Sequence, residues 1–472
     1  MKNRILSYLT TALALLLLPL QPAYLQGYKI DATISGLKDT SLILSYRYGT
    51  KFYTLDTVRT NKQGFASFMD TVQLDRGMYQ LVLPDRSFVD FFIDDTQNFS
   101  IQTTVGSLVE NLHSNNNLPN EQFFVWQEEN QRLRVQAQNI QTKLESLTRE
   151  NPEYSKLHNE LVQLRETNKN LWDETIFRLE NQLPGKFLKG MRPFIVPEAE
   201  VLGTDGQIDQ KAQYEYYKEH FFDPVDFTDP ALIRTPLIHS KLQQFFSKVI
   251  PAIPDTVQVY ADRVIGLSSS DPEMFRFVVQ FLLNFYSDPK IMGMDAVYVY
   301  LAENYYFTGK ASWVDEENLK LITNRVKVLK PLLIGQPAPE LIGLETPEGE
   351  RIDIKDIKAR YTILYFWEPD CAFCKTVTPK LKKIYDQFKD KDIVVVAVNT
   401  RLDKESWEKF IVENELDWIN VFAPNDVRSV LINYEAYNTP KIFILDQDKK
   451  IVAKDLAVEQ TSQLLEYLIK SK

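Results

Sequence analysis

The sequence has almost no cysteine: two in 472 residues, Cys371 and Cys374. A single pair excludes a disulfide-stapled fold and a four-cysteine zinc centre within the chain. Glycine is sparse, 16 in all, about half the usual share, which excludes collagen-like and glycine-rich architectures. The four histidines, His113, His158, His220 and His239, never pair at metal-ligand spacing. An excess of positive charge is missing too. Lys and Arg total 54 against 64 Asp and Glu, a net charge of −10, and an acidic chain lacks the basic stripe of a nucleic-acid binder. Long apolar runs are confined to the N-terminus, where Lys2 and Arg4 precede the stretch from Ile5 to Leu20. That is the charged-then-apolar order of an export signal, shorter than the roughly 20 apolar residues of a membrane span. The signal is placed at 1–27, with an uncleaved membrane anchor as the alternative. A periplasmic or cell-envelope protein is expected.

What the chain has in quantity is aromatic: 23 Tyr and 28 Phe, enough core material to exclude a wholly disordered chain. At about 150 residues per domain, the length suggests three. Residues 28–105 read as β, with alternating runs such as Tyr28 to Ile34, Ser41 to Tyr46 and Met78 to Leu83. Short strands at this spacing predict a small antiparallel β-sandwich.

Residues 106–333 read as mainly helical. A polar helix from about Glu121 to Glu150 is broken at Asn151-Pro152, and Leu157, Leu161, Leu164 and Leu171 mark a second. The break predicts a helical hairpin, with a coiled-coil homodimer as the alternative. Further helices are predicted over Met274 to Tyr286 and Asp295 to Phe307. The acidic stretch from His220 to Asp229 lacks the glycine and closing glutamate of a calcium loop. Asp223 and Asp229 precede proline and set turns, Asp226 is read as a cap, and no metal is assigned.

Residues 334–472 alternate strand and helix: a turn-rich entry, then β, α, β, α, β, β, α. The expected fold class is therefore multidomain α+β, closing on an α/β domain.

The chemistry sits in Phe366-Trp367-Glu368-Pro369-Asp370-Cys371-Ala372-Phe373-Cys374-Lys375, where a strand gives way to a helix. A cysteine at a helix N-terminus meets unpaired N–H groups and the positive end of the helix dipole, which favour the thiolate, the attacking species. Cys374, one turn on, is placed to attack a mixed disulfide at Cys371 and release the product. A structural disulfide or a zinc half-site shared between subunits are the bland readings. A bridge this short constrains little chain, and structural zinc wants four ligands.

Residues 334–472 resemble the thioredoxin superfamily, within it the extracytoplasmic TlpA/ResA-like and AhpC/TSA-like branch. The entry from Ile334 to Pro339, the Gly349 turn, the Phe-Trp-x-x-x-Cys-x-x-Cys-Lys run, Pro379 in the helix and Thr439-Pro440 before a strand carry the likeness in the right order. The whole arrangement resembles multidomain thioredoxin-like proteins exported by Bacteroidetes. The resemblance implies a thiol–disulfide oxidoreductase with Cys371 and Cys374 catalytic. It implies that Thr439 and Pro440 (cis) receive substrate, with Trp367 a candidate contact or a packing residue. Glu368, Asp370, Lys375 and Pro379 are supporting residues. Two departures stand out: Tyr365 replaces the buried Asp of thioredoxins, and Val377 replaces the Glu of ResA-like proteins. Glu368 and Asp370 are then expected either to assist proton transfer or to raise the Cys371 pKa by like charge.

No cofactor is expected beyond the redox-active Cys371–Cys374 pair. Expected partners are exported proteins with disulfides or thiols and an upstream electron donor, with an inner-membrane electron carrier as the candidate; nucleic acid is not one. Alternatives are an oxidase, a binding protein with a tethered redox domain, and an AhpC/TSA-type thiol peroxidase. The last lacks its motif, with Glu368 and Leu364 where Thr and Pro are usual.

Overall fold

The structure, a computed structural model, describes residues 27–425 and 427–470. The expected export signal therefore lies, up to residue 26, outside the described residues. The chain divides into two compact units, one of residues 1–213, 220–226 and 231–239, the other of 214–219, 227–230 and 240–472.

The first unit opens with β1 (Tyr28–Ser35), β2 (Ser41–Tyr48), β3 (Lys51–Arg59), β4 (Phe65–Asp70), β5 (Gly77–Val82), β6 (Phe88–Ile93), β7 (Asn98–Thr104) and β8 (His113–Asn115). In β1 the period-two pattern buries Ile30, Ala32 and Ile34. The strands form two sheets, ordered β4-β1-β7-β8 and β3-β2-β5-β6, and Phe91 meets Phe99 edge-on between them at 5.9 Å. The sandwich is not purely antiparallel as expected. β1 and β7 run parallel, because the chain crosses to the other sheet between them, and alternation within a strand does not report its direction.

The helical hairpin follows as α1 (Leu118–Glu145) and α2 (Pro152–Arg178). Asn117 and Asn151 cap them, accepting the N–H of Asn120 and of Glu153, and Pro152 fills a first-turn position where its missing N–H costs nothing. Ile140, Leu144, Leu157 and Leu161 pack the far end. At the near end the fully buried Asn120 treats Phe92 as a neighbouring strand would. Its Oδ1 accepts the Phe92 N–H and its Nδ2 donates to the Phe92 carbonyl, both at 2.8 Å. β6 is an edge strand, so one amide satisfies groups that would otherwise be buried unpaired.

Next come α3 (Leu183–Met191), α4 (Gln210–His220), α5 (Leu237–Gln244), α6 (Pro254–Leu267), α7 (Pro272–Phe285), α8 (Asp295–Leu301) and α9 (Glu316–Leu329). The predicted helix over Asp295 to Phe307 is α8 followed by a π turn at Ala302–Tyr306. Asp226 pairs with Lys186 at 2.9 Å.

The rest of the second unit is β9 (Leu344–Glu345), β10 (Arg351–Ile352), β11 (Tyr361–Trp367), α10 (Ala372–Phe388), β12 (Ile393–Asn399), α11 (Lys404–Glu413), β13 (Ile419–Phe422), α12 (Val427–Asn433), β14 (Lys441–Leu445), β15 (Ile451–Lys454) and α13 (Val458–Lys470). The sheet is mixed and ordered β10-β9-β13-β12-β11-β14-β15. Gly349, at φ +86°, turns the β9–β10 hairpin with its N–H on Thr346 O at 3.0 Å, a conformation glycine adopts without strain. β11 is buried along its whole length. Tyr361, Ile363, Tyr365 and Trp367 enter one core and Leu364 and Phe366 the other. Within this unit Lys454 of β15 forms an ion pair with Asp295 of α8, the two side chains only 7% and 8% exposed.

Candidate active site

β11 ends at Trp367, and the chain turns through Glu368, Pro369 and Asp370 to Cys371, the N-cap of α10. The Cys371 Sγ accepts the Cys374 N–H at 3.2 Å. β14 lies beside β11, with Lys441 opposite Phe366. The residues just before β14, Thr439 and Pro440, therefore come alongside the turn, joined by a cis peptide bond. The Cys371 thiol donates to the Thr439 carbonyl at 3.3 Å. A backbone edge thus stands next to the sulfur.

The two thiols, both free, are chemically unlike. Burial pushes Cys371 up, but this is outweighed by hydrogen bonds from the Cys374 thiol and N–H, from Thr439 and from the Phe373 backbone, so its pKa falls below the ordinary thiol value. Cys374 is fully buried. Burial, and then its hydrogen bond to Cys371, push it up to about 12. One sulfur is half-exposed and readily ionised; the other is covered and protonated.

Among the described residues, no carboxylate side chain is among the leading influences on Cys374. Tyr365 and Thr378 share a buried hydrogen bond at 2.8 Å, and burial first, with the nearby cysteines, pushes the Tyr365 phenol up and keeps it neutral. Glu368 is not aimed at Cys371. Its Oε1 accepts the Thr439 hydroxyl at 2.9 Å and its Oε2 is paired with Arg401. The loop bearing Arg401 is held to β11, since Thr400 N–H bonds Trp367 O at 2.9 Å. The expected like-charge effect of Glu368 and Asp370 is thus not among the leading influences on Cys371. Asp370 is exposed.

Trp367 is corrected from a candidate substrate contact to a core residue. It is completely buried, stacked on Tyr365 and tilted against Phe410, because β11 is covered on both faces. Lys375 is exposed, its N–H on the Cys371 carbonyl at 3.1 Å. Pro379 sits inside α10, where it removes one helical hydrogen bond. Sequence reasoning missed Arg401 and two exposed aromatics: Phe373, 76% exposed between the cysteines, and Tyr437, 64% exposed two residues before Thr439. Phe373 was visible in the motif; Arg401 had no local signal. Among the described residues, no group of three or more His, Cys, Asp or Glu side chains gathers as a metal site.

A central strand, a cysteine-capped helix and a cis-proline edge define a thioredoxin-like domain. Residues 359–451 match the thioredoxin-like family model, and residues 186–330 match a domain of unknown function. Thiol-disulfide oxidoreductase ResA of Bacillus cereus is 26% identical over 137 residues, which are 29% of this chain and 78% of that protein. Thioredoxin-like protein YneN of Bacillus subtilis is 30% identical over 126 residues, 26% of this chain and 71% of the relative. The thioredoxin domain of a thiol-disulfide oxidoreductase from Bacteroides vulgatus is 33% identical, with a TM-score of 0.28, covering 29% of this chain and 98% of that one. The chain belongs to the thioredoxin-like family, and its enzymatic class is thiol–disulfide oxidoreductase of the ResA type.

Proposed function

We propose that this protein reduces or isomerises disulfides of exported proteins, with Cys371 as nucleophile and Cys374 as resolving thiol. The observation that carries the reading is the inequality of the two sulfurs beside the Thr439 carbonyl. The Cys371 thiolate attacks one sulfur of a substrate disulfide, forming a mixed disulfide and releasing the other sulfur as a thiolate that takes up a proton. Cys374 then gives up its proton and attacks the Cys371 sulfur. The second substrate thiol leaves, and the Cys371–Cys374 disulfide closes. Two electrons pass to the substrate, and a dithiol donor upstream, in or at the inner membrane, returns them.

The Thr439–Pro440 edge receives the substrate backbone, with Phe373 and Tyr437 offering apolar contact to its side chains. The reading places the protein outside the cytoplasm, on the strength of its N-terminal pattern; among the described residues, no helix is long and apolar enough to cross a membrane.

The test is the reduction potential of the pair, by equilibration with glutathione or dithiothreitol and thiol counting. A value near thioredoxin's, roughly −270 mV, supports a reductant, and one near roughly −120 mV makes it a disulfide donor instead. Cys371→Ser is expected to abolish turnover and Cys374→Ser to accumulate mixed disulfides. Full activity in both would overturn the mechanism.

A further inference from the structure

The first unit, which contains neither cysteine, holds a cavity of about 610 Å³ beside the helical hairpin, a size that suits a small organic ligand. Its hairpin wall is a ladder of three paired positions. Trp126 of α1 meets Trp172 of α2 edge-on at 4.7 Å. One turn along, the Asn168 amide donates to Asn130 Oδ1 at 3.0 Å. One turn further, Arg134 and Arg165 also line the cavity. Two helical turns span about 11 Å, so the wall grades from aromatic through amide to cationic over that length.

Two features of the lining suit an anion. Arg134 and Arg165 are exposed, and their guanidinium groups have no ion pair or hydrogen bond among the described residues, whereas nearby Lys169 and Arg192 are paired with Glu166 and Asp173. The lining's one carboxylate, Asp90, is engaged by the Gln80 amide at 2.7 Å.

We propose that this cavity binds an elongated organic anion: a flat aromatic body against Trp126 and Trp172, a polar middle at Asn130 and Asn168, and an anionic end at Arg134 and Arg165. The proposal goes beyond the redox reading and does not depend on it.

The test uses the full chain and two dyes of one skeleton: 8-anilinonaphthalene-1-sulfonate, and N-phenyl-1-naphthylamine, which lacks the sulfonate. Binding is followed by dye emission and by energy transfer from tryptophan. The sulfonate is expected to saturate one site per chain. Arg134→Glu with Arg165→Glu weakens it by about tenfold or more, since charge-assisted contacts are the strong ones, and changes the neutral dye by less than about twofold. If the charge reversal disturbs folding, Arg134→Gln with Arg165→Gln is read the same way. Absence of saturable binding, or equal losses for the two dyes, overturns the proposal.

Discussion

The Thr439 hydroxyl donates to the Glu368 carboxylate at 2.9 Å while the carbonyl of the same threonine accepts the Cys371 thiol at 3.3 Å. Glu368 begins the turn that carries Cys371, and Thr439 ends the loop just before β14. One side-chain bond therefore ties together two segments 71 residues apart, and Arg401 draws in a third. Thr439 is among the groups that lower the Cys371 pKa. Thr439→Val is expected to shift the pH midpoint of Cys371 alkylation upward and to cost about 1 kcal/mol in urea unfolding. Thr439→Ser restores both. An unmoved midpoint removes the hydroxyl from the account.

The inequality of the thiols has a direct chemical readout. In the reduced protein, iodoacetamide is expected to modify Cys371 with a midpoint below the ordinary thiol value of about 8.5. Cys374 stays unmodified until the pH approaches 12. Peptide mass spectrometry across a pH series separates the two, and comparable labelling of both at neutral pH contradicts the arrangement.

The same shifts act on stability with opposite signs. The lowered Cys371 pKa stabilises the reduced fold above the unfolded value, and this is lost as pH falls through the folded one. The raised Cys374 pKa stabilises below the unfolded value, and this is lost as pH rises toward about 12. Cys374 shifts further, so the reduced protein is expected to lose stability above about pH 8.5 more steeply than the Cys374→Ser variant. Parallel curves for the two proteins argue against the shift.

Lys454 and Asp295 are a buried ion pair. Removing one partner leaves a charge without solvent or counter-charge, so Asp295→Ala is expected to destabilise by about 3–5 kcal/mol. The double replacement Asp295→Leu with Lys454→Met leaves no stranded charge and is expected to recover most of that loss. A double variant as unstable as Asp295→Ala would assign the cost to packing.

Asn120 serves both backbone groups of Phe92. Asn120→Ala leaves a buried donor and acceptor unpaired, at an expected cost of about 2–3 kcal/mol. Hydrogen exchange at the Phe92 amide reports the loss locally: it accelerates in the variant if the side chain is its protector.

The position of the candidate site was legible in the sequence because its elements are contiguous. Two cysteines at a strand-to-helix boundary, and a Thr-Pro before a strand, need no long-range information. The hairpin was legible for a similar reason, since Asn151-Pro152 is at once a stop and a start. The Glu368–Arg401 and Glu368–Thr439 contacts were not, being set by which strands lie adjacent. Trp367 was open to misreading because β11 is buried on both faces, so alternation carries no signal there. The parallel pairing of β1 with β7 left no trace in composition. β13 and α12, at four and seven residues, are too short to show a period.

Full burial of Cys374, with a proton retained to about pH 12, also bears on inorganic chemistry. Thiophilic cations bind sulfur as thiolate and release its proton on binding. Here the second sulfur holds its proton tightly and sits beneath the surface. A cation that bridged both sulfurs would have to displace that proton and reach below the surface, a cost that a pair of exposed, ionised thiols would not impose.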